Sequence, residues 1–188
     1  MITGHLGVAA AAHAARRDCS LLWLLGASMA PDVVDALFVV ARSCNPNGLY
    51  SHTVPAAVLI AAVTGAAAFL ATNRRATGLL AAALVLAHVP LDYVTGYKLF
   101  WPGGEIVGLR VYERPAVDFV LEAALVVAGW RMLRTSPSAP RWATGWPALA
   151  ALLAVQGSLD VLGKGRGGVK PSACAQAQVS TAERRSGQ

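Results

Sequence analysis

His88 and Asp92 lie four residues apart in the stretch Leu86-Ala-His-Val-Pro-Leu-Asp-Tyr-Val-Thr-Gly96. On a helix that spacing sets an imidazole and a carboxylate on one face. Pro31-Asp32-Val-Val-Asp35 brings two carboxylates three apart, and Gly4-His5 and Ser51-His52-Thr53 add two more imidazoles. Carboxylates combined with two or three imidazoles form a donor set for a divalent metal, zinc first, with manganese or iron as alternatives. The expected ligands are His88, Asp92, Asp32, His52 and His5. Asp118 and Glu122 are a like-charged pair at i, i+4. Ionised together they repel, so they share a proton, bind a cation, or orient a histidine.

The elements that must carry these residues are apolar. Of 188 residues 55% are hydrophobic and only 14% charged, against about 25% charged in soluble domains. Mean hydropathy is +0.50. A chain this short could not bury so much apolar surface in a soluble core, so it reads as an all-α, multi-pass transmembrane bundle. Five to six spans are expected: a short or tilted one at 2–15, then 20–40, 53–72, 76–94, 115–133 and a short last one at 146–162. The membrane-embedded domain covers 1–163. The polar segment 164–188 reads as a disordered tail. Pro90 removes a backbone donor and frees the Leu86 carbonyl, which favours a kink.

Placing acids in such segments is costly, about 2.5 to 3.5 kcal/mol each at a helix centre. Six of them, Asp32, Asp35, Asp92, Asp118, Glu122 and Asp160, could cost on the order of 15 kcal/mol. Apart from Arg131 near the end of 115–133, no Lys or Arg lies inside an expected span to offset them. If all six segments cross, His5, Asp32, Asp35, His52, His88, Asp92, Asp118 and Glu122 fall in the same half of the membrane. A metal in a one-sided pocket is the economical compensator. Each feature also has a simpler structural account. His88 can bond a neighbouring helix. Asp32 can cap a helix that starts at Pro31. His52 can sit at a membrane boundary, and His5 on a mobile terminus. His13 falls on a different face and at the other end of its helix.

The net charge of +6 comes from short arginine clusters between apolar runs. They suit membrane flanks, and with no aromatics interleaved they do not suit nucleic acid. Short loops concentrate arginine on the side opposite the pocket, at Arg16, Arg17, Arg74, Arg75, Arg131, Arg134 and Arg141. That side would be cytoplasmic and the pocket would face outwards. Cys19, Cys44 and Cys174 include no CxxC pair and outline no thiolate metal site.

In order and spacing, Gly4-His5, Pro31-Asp32 with Asp35, Ser51-His52-Thr53, and His88 to Asp92 followed by Gly96 and Phe100-Trp101-Pro102 resemble the YdjM-like family. That family consists of bacterial inner-membrane proteins classed as metal-dependent hydrolases. The resemblance covers roughly residues 3 to 130. Its commoner form has His-Arg-Gly where this chain has Asn47-Gly48-Leu49-Tyr50. It implies a multi-pass protein of the bacterial plasma membrane.

The expected chemistry is therefore metal-dependent hydrolysis, with Asp35 or Glu122 as general base or orienting group. A site near the membrane interface suggests a lipid-like or phosphoester substrate. Two rivals stand beside it: a cation or proton relay, since intramembrane acids also line ion paths, and a non-catalytic scaffold whose polar groups pack helices.

Overall fold

The computed structural model describes residues 2–163. The expected tail at 164–188 lies outside the described residues. The chain folds as helices: α1 Thr3–Ala15, α2 Leu21–Ser28, α3 Ala30–Val40, α4 Val54–Thr72, α5 Arg75–Thr95, α6 Pro115–Arg134, α7 Arg141–Thr144 and α8 Trp146–Gly163. The loop between α5 and α6 carries a small antiparallel ribbon, β1 Lys98–Leu99 paired with β2 Ile106–Val107.

Helix α4 buries small residues and exposes large ones. On α4 the buried positions are Ala57, Ala61, Gly65 and Ala68. Val58, Leu59, Val63 and Leu70 on the same helix are exposed. A soluble helix does the reverse. Small residues turned inward let backbones approach closely, as in membrane helix pairs. Gly65 on α4 meets Gly78 on α5 in this way: a Cβ on either would lie 2.9 or 2.8 Å from the other's carbonyl oxygen. Gly7 on α1 and Gly129 on α6 make an even closer approach, backbone against backbone. Asn73, left-handed at φ 51°, ends α4 and turns the chain into α5.

The expected span at 20–40 is broken. Ser28 ends α2, Met29 separates the helices, and Pro31 sits in the first turn of α3, which bends 57° from α2. Proline has no N–H to continue the ladder but suits a helix start, so one apolar run becomes two helices. α5, by contrast, runs as one helix through Pro90.

Fewer helices qualify as spans than the five to six expected. By length and apolarity α4 and α5 can cross a membrane, and α2 with α3 makes a third if the bent pair crosses together. The reasons for the shortfall are physical. α1 has 13 residues, about 20 Å of rise against a core of about 30 Å. α6 carries Asp118, Glu122, Arg131 and Arg134. The apolar part of α8 stops at Leu162.

Candidate metal centre

α5 supplies His88 and Asp92, and both are buried, as their shared helix face requires. The entrance of α4 supplies His52, fully buried just before the helix starts at Val54. The first turn of α3 supplies Asp32. These four bring one ligand atom each within 4.8 Å of one another. The two Nε2 atoms of His52 and His88 face each other at 3.2 Å. Asp92 Oδ2 lies 3.0 Å from His52 Nε2 and 3.7 Å from His88 Nε2. Asp32 Oδ1 lies 3.6 Å from both.

The outer faces of the two rings settle which nitrogens carry protons. His88 Nδ1 lies 2.7 Å from the Ser28 carbonyl, which can only accept. Ser28 is the last residue of α2, where the helix leaves carbonyls without intrahelical partners. The break before Pro31 therefore creates the acceptor that fixes the His88 ring. Ser51 Oγ donates its single hydrogen to Asp35 Oδ1 at 2.6 Å. At 2.7 Å from His52 Nδ1 it can then only accept, so Nδ1 is the donor. Asp35 Oδ2 stands 3.4 Å from the same nitrogen. In their neutral forms both rings thus turn bare Nε2 lone pairs towards each other.

A donor set of this kind fits a divalent metal. Ligand bonds of about 2.0–2.2 Å in tetrahedral geometry put neighbouring ligand atoms about 3.3–3.6 Å apart. The His–His and His–Asp separations here run from 3.0 to 3.7 Å, and all four atoms lie within 4.8 Å of one another. Asp32 Oδ2 is buried with no hydrogen-bond partner, as a carboxylate held at the other oxygen can be. The His52 and His88 side chains are 0% exposed and Asp92 is 4%, while Asp32 is 26%. Of the four, Asp32 alone has appreciable exposure.

His5 and Asp35 stand one shell out. His5 stacks on His88 at a centroid distance of 3.6 Å. Its Nε2 lies 3.1 Å from Asp92 Oδ1, the oxygen turned away from His52 and His88. Asp35 accepts from Asn45 Nδ2 and Ser51 Oγ, and Lys98 Nζ approaches it at 3.5 Å. Lys98 is a cation the sequence alone did not pair with the acids, because it lies beyond the end of α5 in β1. Asn45 also accepts from the Tyr50 amide, so the turn 45–51 folds around the Asp35 carboxylate.

Glu122 sits elsewhere. Its Oε2 accepts from the Ile2 and Gly4 amides at 2.9 and 3.1 Å and from Thr3 Oγ1 at 3.2 Å. This carboxylate on α6 caps the N-terminus of α1, one residue before His5. Thr3 Oγ1 shares its hydrogen between Glu122 Oε2 and Gln156 Oε1, and Gln156 Nε2 donates to Asp160 Oδ1. Asp118 and Asp160 each keep one buried oxygen without a partner. His13 is bonded to the Cys19 carbonyl at 2.8 Å and to Ser138, a structural role at the other end of α1.

Sequence reasoning passed over Ser28, Asn45 and Lys98. Only the turn signal Asn45-Pro46-Asn47-Gly48 marked one of them. No curated protein matches the chain, and no solved structure does. The model of the YdjM inner membrane protein family matches residues 1–161. The chain, with its apolar helices and its buried His/Asp group, belongs to the YdjM inner membrane protein family.

Proposed function

We propose that this is a multi-pass membrane enzyme of the bacterial inner membrane, a metal-dependent hydrolase acting on a lipid-like phosphoester. The observation that carries the reading is the pair of facing Nε2 atoms with two carboxylate oxygens at ligand-to-ligand distances. His52, His88 and Asp92 are the buried ligands, and Asp32 completes the set from the exposed side. A divalent ion bound there, zinc by preference, supplies Lewis acidity and an acidified water. Asp32 is positioned to ligate or to take a proton from a water arriving on its side. His5 holds Asp92 by its outer oxygen, and Asp35 holds His52 through Nδ1, the arrangement that makes metal-bound imidazoles more basic. Glu122 holds α1 in place so that His5 reaches Asp92.

A closed set of four protein ligands is the pattern of structural zinc, whereas catalytic sites keep a position open. The exposure of Asp32 against the burial of the other three favours catalysis.

The test measures metal content and phosphate release together on the purified full chain, with phosphatidic acid in mixed micelles as substrate. About one equivalent of metal and chelator-sensitive phosphate release are expected in the wild type, with both lost in a His88→Ala, Asp92→Ala double variant. Equal, negligible metal in both proteins overturns the reading. Metal without hydrolysis leaves a scaffold. Ion flux through reconstituted vesicles that depends on Asp118 and Asp160 supports a relay instead.

A further inference from the structure

The loop between α5 and α6 turns apolar side chains outward. Phe100 and Trp101 at the turn of the β1–β2 ribbon, Ile106 and Val107 in β2, and Leu109 and Tyr112 beyond it are each 39–73% exposed. Apolar residues exposed together, rather than singly, mark an interaction surface.

The anchorage of the loop says what lies against it. Among the described helices, α4 and α5 are long and apolar enough to cross a membrane. α5 ends at Thr95, and β1 begins at Lys98. The Val54 amide at the start of α4 donates to the Phe100 carbonyl at 3.1 Å. The Leu109 amide donates at 2.8 Å to the carbonyl of Tyr93, in the last turn of α5. The ribbon is therefore tied to one end of both helices, and where they cross it stands at the membrane surface. Its composition fits that level. Trp and Tyr collect among lipid headgroups, and the cations Lys98, Arg110 and Arg114 accompany them here. Two features limit the depth. A two-stranded ribbon has open edges, whose amides and carbonyls cannot enter hydrocarbon. Glu105 at the turn and Glu113 are exposed carboxylates.

We infer that this ribbon is a membrane-interface anchor, with Phe100, Trp101 and Leu109 seated among lipid headgroups and the bilayer surface as the partner of this face. The same segment reaches the His/Asp group. Lys98 Nζ stands 3.5 Å from Asp35 Oδ2, and the Tyr93 hydroxyl donates to the His52 carbonyl at 3.2 Å. The anchor thus holds the site at headgroup depth, where the ester and phosphoester bonds of lipids lie. The inference rests on the crossing of α4 and α5 proposed above, and on neither metal nor turnover.

Tryptophan emission of the full chain, in nanodiscs of phosphatidylcholine and phosphatidylglycerol, tests it. Subtracting the spectrum of a Trp101→Phe variant isolates Trp101 from Trp23, Trp130, Trp142 and Trp146. Trp101 is expected to emit to the blue of indole in water and to resist quenching by acrylamide. Lipids brominated near the headgroup should quench it more than lipids brominated at the chain end. Leu109→Trp in the Trp101→Phe background puts the reporter at the most exposed of these positions and should behave alike. Emission at either position that acrylamide quenches freely and brominated lipids leave unchanged overturns the anchor. Quenching strongest from the chain end overturns it too. Alkaline carbonate extraction of vesicles reads the crossing of α4 and α5 by itself. A chain that resists extraction while Trp101 stays in water loses the anchor alone, and a chain that is extracted loses both.

Discussion

His52 Nε2 and His88 Nε2 confront each other at 3.2 Å while both Nδ1 atoms donate outward, to Ser51 Oγ and to the Ser28 carbonyl. Two lone pairs do not hold that distance without a cation between them. A metal and a proton compete for the same position, and binding the metal releases the proton. Metal retention should therefore rise with pH and fall on acidification. A chelator should lower the unfolding temperature of the detergent-solubilised protein, and zinc at about 100 times its Kd should return about 2.7 kcal/mol. Scanning calorimetry at two pH values checks both. A melting temperature indifferent to chelator and zinc would show that a proton suffices.

Asp35 governs His52 from behind. Its oxygens lie 2.6 Å from Ser51 Oγ and 3.4 Å from His52 Nδ1. Replacement by Asn keeps the shape and loses the charge, and groups in this position typically contribute 10–100-fold to metal affinity. Asp35→Asn should weaken zinc binding by about that factor while the far-ultraviolet circular dichroism stays unchanged. If Asp35 were instead the general base, the variant would hold metal as well as wild type and lose only turnover. Metal titration beside a rate measurement separates the two.

His5 acts on the other flank, through Asp92 Oδ1 and by stacking on His88. His5→Ala should weaken metal binding roughly tenfold, and His5→Gln, which keeps an N–H for Asp92, should recover part of the loss. Equal effects of Ala and Gln would mark His5 as a ligand through a bare nitrogen rather than as a donor to Asp92.

Helical periodicity made the pairing of His88 with Asp92 legible in the sequence, because an i, i+4 pair shares a face wherever a helix forms. Pro31 likewise announced a helix start, and Asp32 in its first turn joins the His/Asp group. Segment order alone drew His5, Asp32, His52, His88 and Asp92 towards one end. It could not separate them from Glu122, which shares that end and belongs to the cap of α1. The proton bookkeeping was invisible for a different reason. It rests on a carbonyl freed by a 57° break and on a turn that folds Asn45 and Ser51 over Asp35. Those contacts depend on where a backbone bends, which residue types do not encode locally. By length and apolarity only α4, α5 and the bent pair α2–α3 qualify as spans, because the run 20–40 parts at Met29 and α6 carries Asp118, Glu122, Arg131 and Arg134.

Glu122 accepts three donors at one oxygen while only 2% exposed. Removing the carboxylate strands those donors in a buried setting, at about 1–3 kcal/mol or more. Glu122→Ala should lower the unfolding free energy by about that amount, and Glu122→Gln, which keeps an acceptor, by less. Equilibrium unfolding in mixed micelles reads the difference. A Glu122→Ala protein of unchanged stability with abolished turnover would return Glu122 to the role of general base.

Gly48 is where the turn chemistry meets the metal centre. Its φ of +74° is one that residues with a Cβ rarely adopt, and a Cβ there would lie 3.0 Å from His52 Cβ and 3.2 Å from Nδ1. The Gly48 carbonyl also accepts from the His52 amide at 2.7 Å. Gly48→Ala therefore combines backbone strain of about 1–3 kcal/mol with pressure on the ring that carries Nε2. A small displacement matters, because His52 Nε2 already lies 3.0–3.6 Å from the ligand atoms of His88, Asp92 and Asp32. The variant should lose metal affinity more than stability. Gly103→Ala is the control, with a similar φ of +76° and open space around it. It should lose stability alone. Zinc titration and thermal unfolding of both variants check the contrast, and equal zinc affinities would show that the His52 ring yields without disturbing the site.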